Sequence, residues 1–420
     1  MVCFVEILQE GKLDAPAVDA KILYGAVLVQ MLSTGTATTF QEYADSIFVP
    51  YVVNQLHSAK RVDIVWDVYQ KDSLKKATRE KRGSVLRRRV EDSSKIPGNW
   101  KSFLRVDENK TELFKFLAKK IERTKVEGKE LFITFGDSVL SSASREDLSS
   151  ISPCSHEEAD TRLLLHVLDA ARSGHARIAI TTNDTDVLVL IVAMYQDIPV
   201  NELWVSFGVG KHQRYLKVHE ISPQFGLEKC RALPMFHAIT GCDNVSFFAG
   251  RGKKTAWDVW KAFPSVTEAF IELMATPKSI QDHNFALIER FVLLMYDRTS
   301  GLHEVNEARQ ELFCQRSRRL EGIPPTRAAL EQHVKRACFQ AGHVWSQSLV
   351  AQPVLPSPSE WGWEKEGDYW KPHLTDLKEA KDTCYELIQC GCKRGCKGRC
   401  KCLKAILTCT ALCKCGGSCQ

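Results

Sequence analysis

Long apolar runs are missing from this chain. The longest charge-free apolar stretch, Val187 to Tyr195, has nine residues, against roughly 20 needed to span a bilayer, so no membrane protein is expected. The opening 25 residues carry Glu6, Glu10, Asp14 and Asp19 and lack a basic start leading into a long apolar core. No secretory leader is therefore expected. Cysteine is scarce over most of the length: Cys3, Cys154, Cys230, Cys242, Cys314 and Cys338 are the six of 16 that precede residue 384. Net charge is also missing there. Seven Lys and Arg face Glu386 alone between Cys384 and Gln420, which accounts for the whole-chain value of +6. Hydrophobic residues make up 44% and charged residues 26% of the 420, which excludes global disorder and collagen. There is no internal repeat, and the length fits two or three domains.

What is present alternates. Lys21–Leu32, Val62–Asp67, Leu131–Phe135, Arg177–Thr182 and Leu203–Phe207 read as strand cores, and Asp160–Arg172 is apolar at helical spacing, ended by Gly174. Alternating strands and helices predict an α/β fold with a mainly parallel sheet flanked by helices, whose sites lie at the carboxyl ends of the strands. Ala262–Gln347 is almost wholly helical in pattern, broken at Thr276-Pro277 and Pro324-Pro325. Residues 351–372 combine four prolines with Trp361, Trp363 and Trp370 and read as an extended connector docking its tryptophans. The expected organisation is an α/β domain over 1–270, a helical extension over 271–350, a Trp/Pro-rich connector over 351–383 and a cysteine module over 384–420.

Acids stand where strands end. Asp67 closes Val62–Asp67, Glu158 and Asp160 open a helix, Asp184 and Asp186 follow the strand before Asn183, and Asp243 precedes Gly250-Arg-Gly-Lys-Lys254. Each alone is an ordinary turn or helix cap. Together they would converge on one sheet edge, where like charges raise one another's pKa unless a cation neutralises them. Hard ions such as Mg²⁺ or Mn²⁺ take carboxylate oxygens, and a pair of them serves phosphodiester displacement. Cys242 has no general base beside it, so cysteine nucleophilic chemistry is not expected.

The order Asp67, Glu158-Ala-Asp160, Asp184-Thr-Asp186, Gly241-Cys-Asp243 resembles the PIN-like nucleases of the flap endonuclease and XPG type, over roughly residues 20 to 270. The resemblance implies a phosphodiesterase, a structure-selective DNA endonuclease or exonuclease with a two-ion Mg²⁺ or Mn²⁺ site on Asp67, Glu158, Asp160, Asp184, Asp186 and Asp243. It assigns Gly250, Gly252, Lys253 and Lys254 to a hairpin gripping a duplex backbone, a contact blind to sequence. Lys71–Arg89 holds nine basic and two acidic residues. It resembles that family's helical gateway, with Lys75 and Arg82 as the catalytic cations; its bland reading is a solvated basic helix or nuclear import signal. One position departs. Tyr24 stands where the first catalytic Asp belongs, and a neutral phenol is a poor Mg²⁺ ligand. The alternative implied is an inactive nuclease fold that binds nucleic acid or chromatin.

Nine cysteines end the chain: Cys390, Cys392, Cys396, Cys400, Cys402, Cys409, Cys413, Cys415 and Cys419. In a reducing compartment thiolates read as Zn²⁺ ligands before disulfides. Each tetrahedral ion takes four, so nine serve three ions when three thiolates bridge. The spacing resembles the DNA-binding CXC module of tesmin-type proteins. The aromatic residue expected before the second Cys-x-Cys is replaced by Arg399, so base reading is not implied. A disulfide knot and a metallothionein-like store are the competing readings. So short a stretch with few large apolar residues cannot build its own core, and metal is its expected folding energy. DNA is the expected partner, RNA the other candidate, and the nucleus the expected location.

Overall fold

A computed structural model describes residues 14–70, 72–76, 87–142, 145, 147–208, 210–314, 322–377, 390–392, 396, 400–404, 407–409 and 413–415. The chain divides into two compact units, Met1–His373 and Leu374–Gln420.

In the first unit seven strands make one sheet: β1 (Ala20–Tyr24), β2 (Arg61–Val65), β3 (Glu130–Phe135), β4 (Ser138–Ser141), β5 (Arg177–Thr182), β6 (Glu202–Phe207) and β7 (Arg214–Lys217), in the order β4-β3-β2-β1-β5-β6-β7. The five inner strands pair in parallel, and β4 and β7 close the edges antiparallel. The expected mainly parallel sheet is the one observed. Its inner strands are runs of Ile, Val, Leu and Phe because helices cover both faces. Period-two alternation sends Ala20 and Ile22 to one apolar layer and Leu23 to the other.

The helices that matter here are α1 (Gly25–Met31), α2 (Asp107–Glu122), α3 (Ala159–Arg172), α4 (Thr185–Met194), α5 (Leu227–Ile239), α6 (Lys253–Ala262), α7 (Val266–Met274), α8 (Asp282–Tyr296) and α9 (Arg327–Cys338). Helices α3, α4 and α5 bury Leu164, Val187, Leu190 and Phe236 in one layer with Ile180 and Val205. That layer continues into the helical segment through Phe236 stacked on Trp260 at 4.8 Å and Phe270 edge-on to Phe291 at 5.5 Å. The opposite layer holds Phe48, Leu113 and Leu117, with Trp66 stacked on Phe114 at 4.2 Å. Each such side chain contributes about 1.5–3 kcal/mol on burial.

Two expectations need correction. Lys21–Leu32 is not one strand: β1 stops at Tyr24 and Gly25–Met31 is helical. The cause is tertiary. A Cβ on Gly25 would lie 2.1 Å from Trp66 Cε3, so the chain turns over the Trp66 ring at its glycine and continues as a buried helix, whose apolar run reads equally as a strand. The connector is not merely extended: β8 (Trp363–Glu366) and β9 (Tyr369–Pro372) form an antiparallel hairpin. Trp361, Trp363 and Trp370 are buried as expected, and Arg336 of α9 donates to the Gly362 and His373 carbonyls. The expected basic helix over Lys71–Arg89 falls largely on residues outside the described ones, 77–86 among them. Positions 72–75 are turn and irregular backbone, Lys76 is helical, and 87–90 are irregular. Arg82 lies outside the described residues.

Candidate metal centre

Open parallel sheets bind ligands where the strand order reverses. Here β2 and β3 lie on one side of β1 while β5 and β6 lie on the other. Tyr24 ends β1, Asp67 lies just past β2, and Asp184 and Asp186 follow β5. The acids therefore meet at the reversal. Asp67, Glu158, Asp160, Asp184 and Asp243 line one cavity of about 240 Å³ together with Tyr24 and Lys75. Carboxylate oxygens of Asp160, Asp184 and Asp186 all lie within 4.8 Å of one another.

Local backbone chemistry sets each acid in place. Asp184 is the N-cap of α4, its Oδ1 accepting the Asp186 N–H at 2.9 Å. Glu158 is the N-cap of α3 without capping it by its side chain. Asp67 does that from β2: its Oδ1 accepts the Ala159 N–H at 3.1 Å. The same oxygen accepts the Tyr24 hydroxyl at 3.1 Å, and Tyr69 donates to Oδ2 at 3.4 Å. Asp243 follows the turn after α5. There Gly241 has φ +108, and a Cβ on it would stand 2.8 Å from Phe247 Cβ, so only glycine fits.

The electrostatics follow from crowding. Burial, then Asp184 and Glu158, push the Asp160 carboxyl well above the usual carboxylate range. Burial and Asp186 raise Asp184 to about 6. Burial raises Glu158 despite Lys75. Lys75 is the counter-ion, its Nζ 2.6 Å from Glu158 Oε1 and 3.0 Å from Asp243 Oδ2. Burial alone would favour its neutral form, but Glu158, Asp243 and Asp160 outweigh it and keep it charged. Tyr24 is held neutral by burial and by Asp67. Burial lifts Cys242 to about 12, so it stays a thiol and no nucleophile.

The donor set fits a hard divalent cation. Asp160 Oδ1 is buried with no hydrogen-bond partner among the described residues, an arrangement costly without a cation. Residues outside the assigned acids also reach the site. Tyr69, Lys110 and Glu157 line it, and His237 Nε2 lies 2.8 Å from Asp186 Oδ1, the orienting contact that ligating carboxylates characteristically have. Only the fold brings Tyr69, Lys110 and His237 to the acids. Gly250 (φ +67) and Gly252, the N-cap of α6, form the turn expected to grip a backbone. Lys254 is exposed there. Lys253 instead turns its Nζ to the His237 carbonyl at 2.7 Å and Thr240 Oγ1 at 2.9 Å, at the end of α5.

In the second unit eight of the nine cysteines are described, and their thiols fall into three groups of four. Cys390 belongs to all three groups, and Cys400 and Cys409 each to two. Cys396 and Cys409 sulfurs are 3.4 Å apart, and those of Cys402 and Cys413 3.6 Å. Thiols so grouped could hold metal ions, and all eight are free of disulfides. Cys419 lies outside the described residues.

No family model matches the chain, and no curated protein matches it. Among solved structures it is similar to T5 5'-exonuclease with divalent zinc ions bound, at 15% identity over 66% of this chain and 89% of that one, TM-score 0.37. It is also similar to the T5 D15 protein co-crystallised with metal ions, at 14% identity over 64% and 83%, TM-score 0.34. No described helix is long and apolar enough to cross a membrane.

Proposed function

We propose that the chain is a divalent-metal-dependent nuclease acting on DNA, with RNA the other candidate substrate, and selective for nucleic-acid structure rather than sequence. The observation that carries this is the Asp160–Asp184–Asp186 cluster at the strand-order reversal, with one buried oxygen of Asp160 unpartnered. Asp160, Asp184 and Asp186 would hold one Mg²⁺ or Mn²⁺; Glu158, Asp67 and Asp243 surround a second position. Such ions supply charge stabilisation to the attacking and leaving oxygens of a phosphodiester. Lys75 now neutralises Glu158 and Asp243, and it is poised to exchange them for a substrate phosphate oxygen. Arg82 is assigned to the same phosphate by position in the sequence. Gly250, Gly252 and Lys254 would meet the backbone beyond the cut, with Lys253 bracing their turn from behind. The cysteine unit would hold Zn²⁺, its lysines and arginines tethering the enzyme to a polyanion. A nuclear location accords with that role.

A second reading is favoured by one observation. Tyr24 fills the end of β1 with a neutral phenol bonded to Asp67, which suits a fold that binds nucleic acid without cutting it. Labelled single-stranded, duplex and flapped DNA, incubated with Mn²⁺ or EDTA beside the Asp184→Asn/Asp186→Asn double variant, decides. Metal-dependent cutting lost in the variant supports the nuclease. A variant that still cuts sinks the assignment. Salt-sensitive binding with no cutting selects the second reading.

A further inference from the structure

A second cavity, also of about 240 Å³, adjoins the acid centre and shares Lys75, Glu157 and Glu158 with it. Its far walls come from the helical segment and the Trp/Pro segment, which the acidic motifs do not touch. Phe339, Val344, Leu355, Pro356 and Trp370 give it flat apolar surfaces. The Trp370 ring is fixed by its Nε1, which donates to Asp72 Oδ1 at 3.0 Å. Asn244 and Gln340 line it as a bonded amide pair at 2.7 Å, and each amide has further donor or acceptor capacity. His156 also lines it. Its side chain is buried, Nε2 is 2.7 Å from the Val350 carbonyl and so carries the proton, and Nδ1 is a buried acceptor with no hydrogen-bond partner among the described residues. A buried acceptor left open in this way is met by a donor from water or from a ligand.

We infer that this cavity takes one unpaired nucleobase of the nucleic-acid strand whose phosphate sits at the acid centre. The inference rests on the nuclease-site reading given above. A base is planar, carries N–H groups on its edge for His156 Nδ1 and acceptors for the amides, and has a face for Trp370 or Phe339. Phosphate and carboxylate groups are unsuited, because Asp72, Glu157 and Glu158 outnumber Lys75 around the space. A stacked, paired base cannot reach it, and unstacking one costs a few kcal/mol, least where the strand is already single. The cavity would therefore select flapped, frayed or single-stranded nucleotides. All four bases carry an edge N–H, so the choice is one of structure and not of sequence.

The test is binding by the full chain, in Ca²⁺ to limit turnover, of single-stranded and flapped oligonucleotides in which one abasic residue is stepped along the strand. One position should lose affinity about ten-fold or more, the size of a lost base–aromatic stack, with its neighbours unchanged. Val344→Phe, which fills the cavity, should weaken the intact oligonucleotide to the abasic level and leave the abasic one as it was. A flat scan with binding retained overturns the cavity while leaving the nuclease site standing. Absence of binding to every oligonucleotide overturns both.

Discussion

The hydroxyl of Tyr24 donates to Asp67 Oδ1 at 3.1 Å, and that same oxygen caps α3 through the Ala159 N–H at 3.1 Å. A residue from β1 thus neutralises nothing but holds an acid from β2 at the helix that presents Glu158 and Asp160. Tyr24→Asp would put a further carboxylate against Asp67 and Asp160. In EDTA this variant should melt below the wild type, since like charges would be packed without a cation. With Mn²⁺ its gain in melting temperature should exceed that of the wild type. If both proteins cut at equal rates, Tyr24 is tolerated; if only Tyr24→Asp cuts, the natural chain is a binding protein.

Asp160 tests the metal centre without turnover. Its carboxyl is pushed far up by burial, Asp184 and Glu158, so the ionised form strains the metal-free fold. Asp160→Asn should therefore raise the melting temperature in EDTA. It should also abolish the Mn²⁺-dependent stabilisation of the wild type, expected at about 2.7 kcal/mol when Mn²⁺ is a hundred times its Kd. Scanning fluorimetry with and without Mn²⁺ reads both, and an Mn²⁺ shift preserved in Asp160→Asn would remove Asp160 from the ligand set.

The inner strands were legible because parallel strands covered on both faces are near-continuous apolar runs, and Arg177–Thr182 matches its expected bounds residue for residue. The acids were legible because strand ends and helix starts are written locally, as Asp184 and Asp186 show. Gly25–Met31 was not: Ala-Val-Leu-Val is apolar under either period, and Trp66 decides it from 40 residues away. Tyr69 and Lys110 carry no local signal, since their place at the site depends on chain crossings; His237 lies near Asp243 in sequence, but its contact with Asp186 is set by the fold. The same holds for the base-sized cavity, which joins residues near 75, 156, 244, 340 and 370.

Gly25 makes that contact measurable. With a Cβ 2.1 Å from the Trp66 ring, Gly25→Ala forces Trp66 off its stack on Phe114. Overpacking of this kind costs about 1–3 kcal/mol, outweighing the gain that alanine brings to a helix. Urea unfolding should show that loss, whereas an unchanged midpoint would mean that the β1–α1 junction relaxes freely.

His333 sets part of the acid limit. It is buried, its ring nitrogens facing Ser246 Oγ and the Ile239 carbonyl, with Arg336 nearby, and burial lowers it to about 4. The unfolded chain protonates the same ring near 6.5. Because the folded value is depressed, the contribution is intact above pH 6.5 and is lost as pH falls toward 4. By pH 5 the loss amounts to about 2 kcal/mol. His333→Gln should shorten the stability loss between pH 7.5 and 5 by that amount, and an unchanged acid limb would show that His333 titrates normally.

Cysteine sharing predicts unequal losses of metal. Cys390 belongs to all three groups of four thiols, and Cys392 to one. If three Zn²⁺ ions share bridging thiolates, Cys390→Ser removes a ligand common to the whole cluster and Cys392→Ser only a peripheral one. Elemental analysis of the purified full chain should give about three Zn²⁺ in the wild type on the four-thiolate count. It should give a larger drop for Cys390→Ser than for Cys392→Ser. If metal supplies the folding energy of a unit with so little core, the ranking should recur in proteolysis, with Cys390→Ser cut fastest after residue 373. Equal metal contents in the two variants would mean independent sites, and the bridged arrangement would fall.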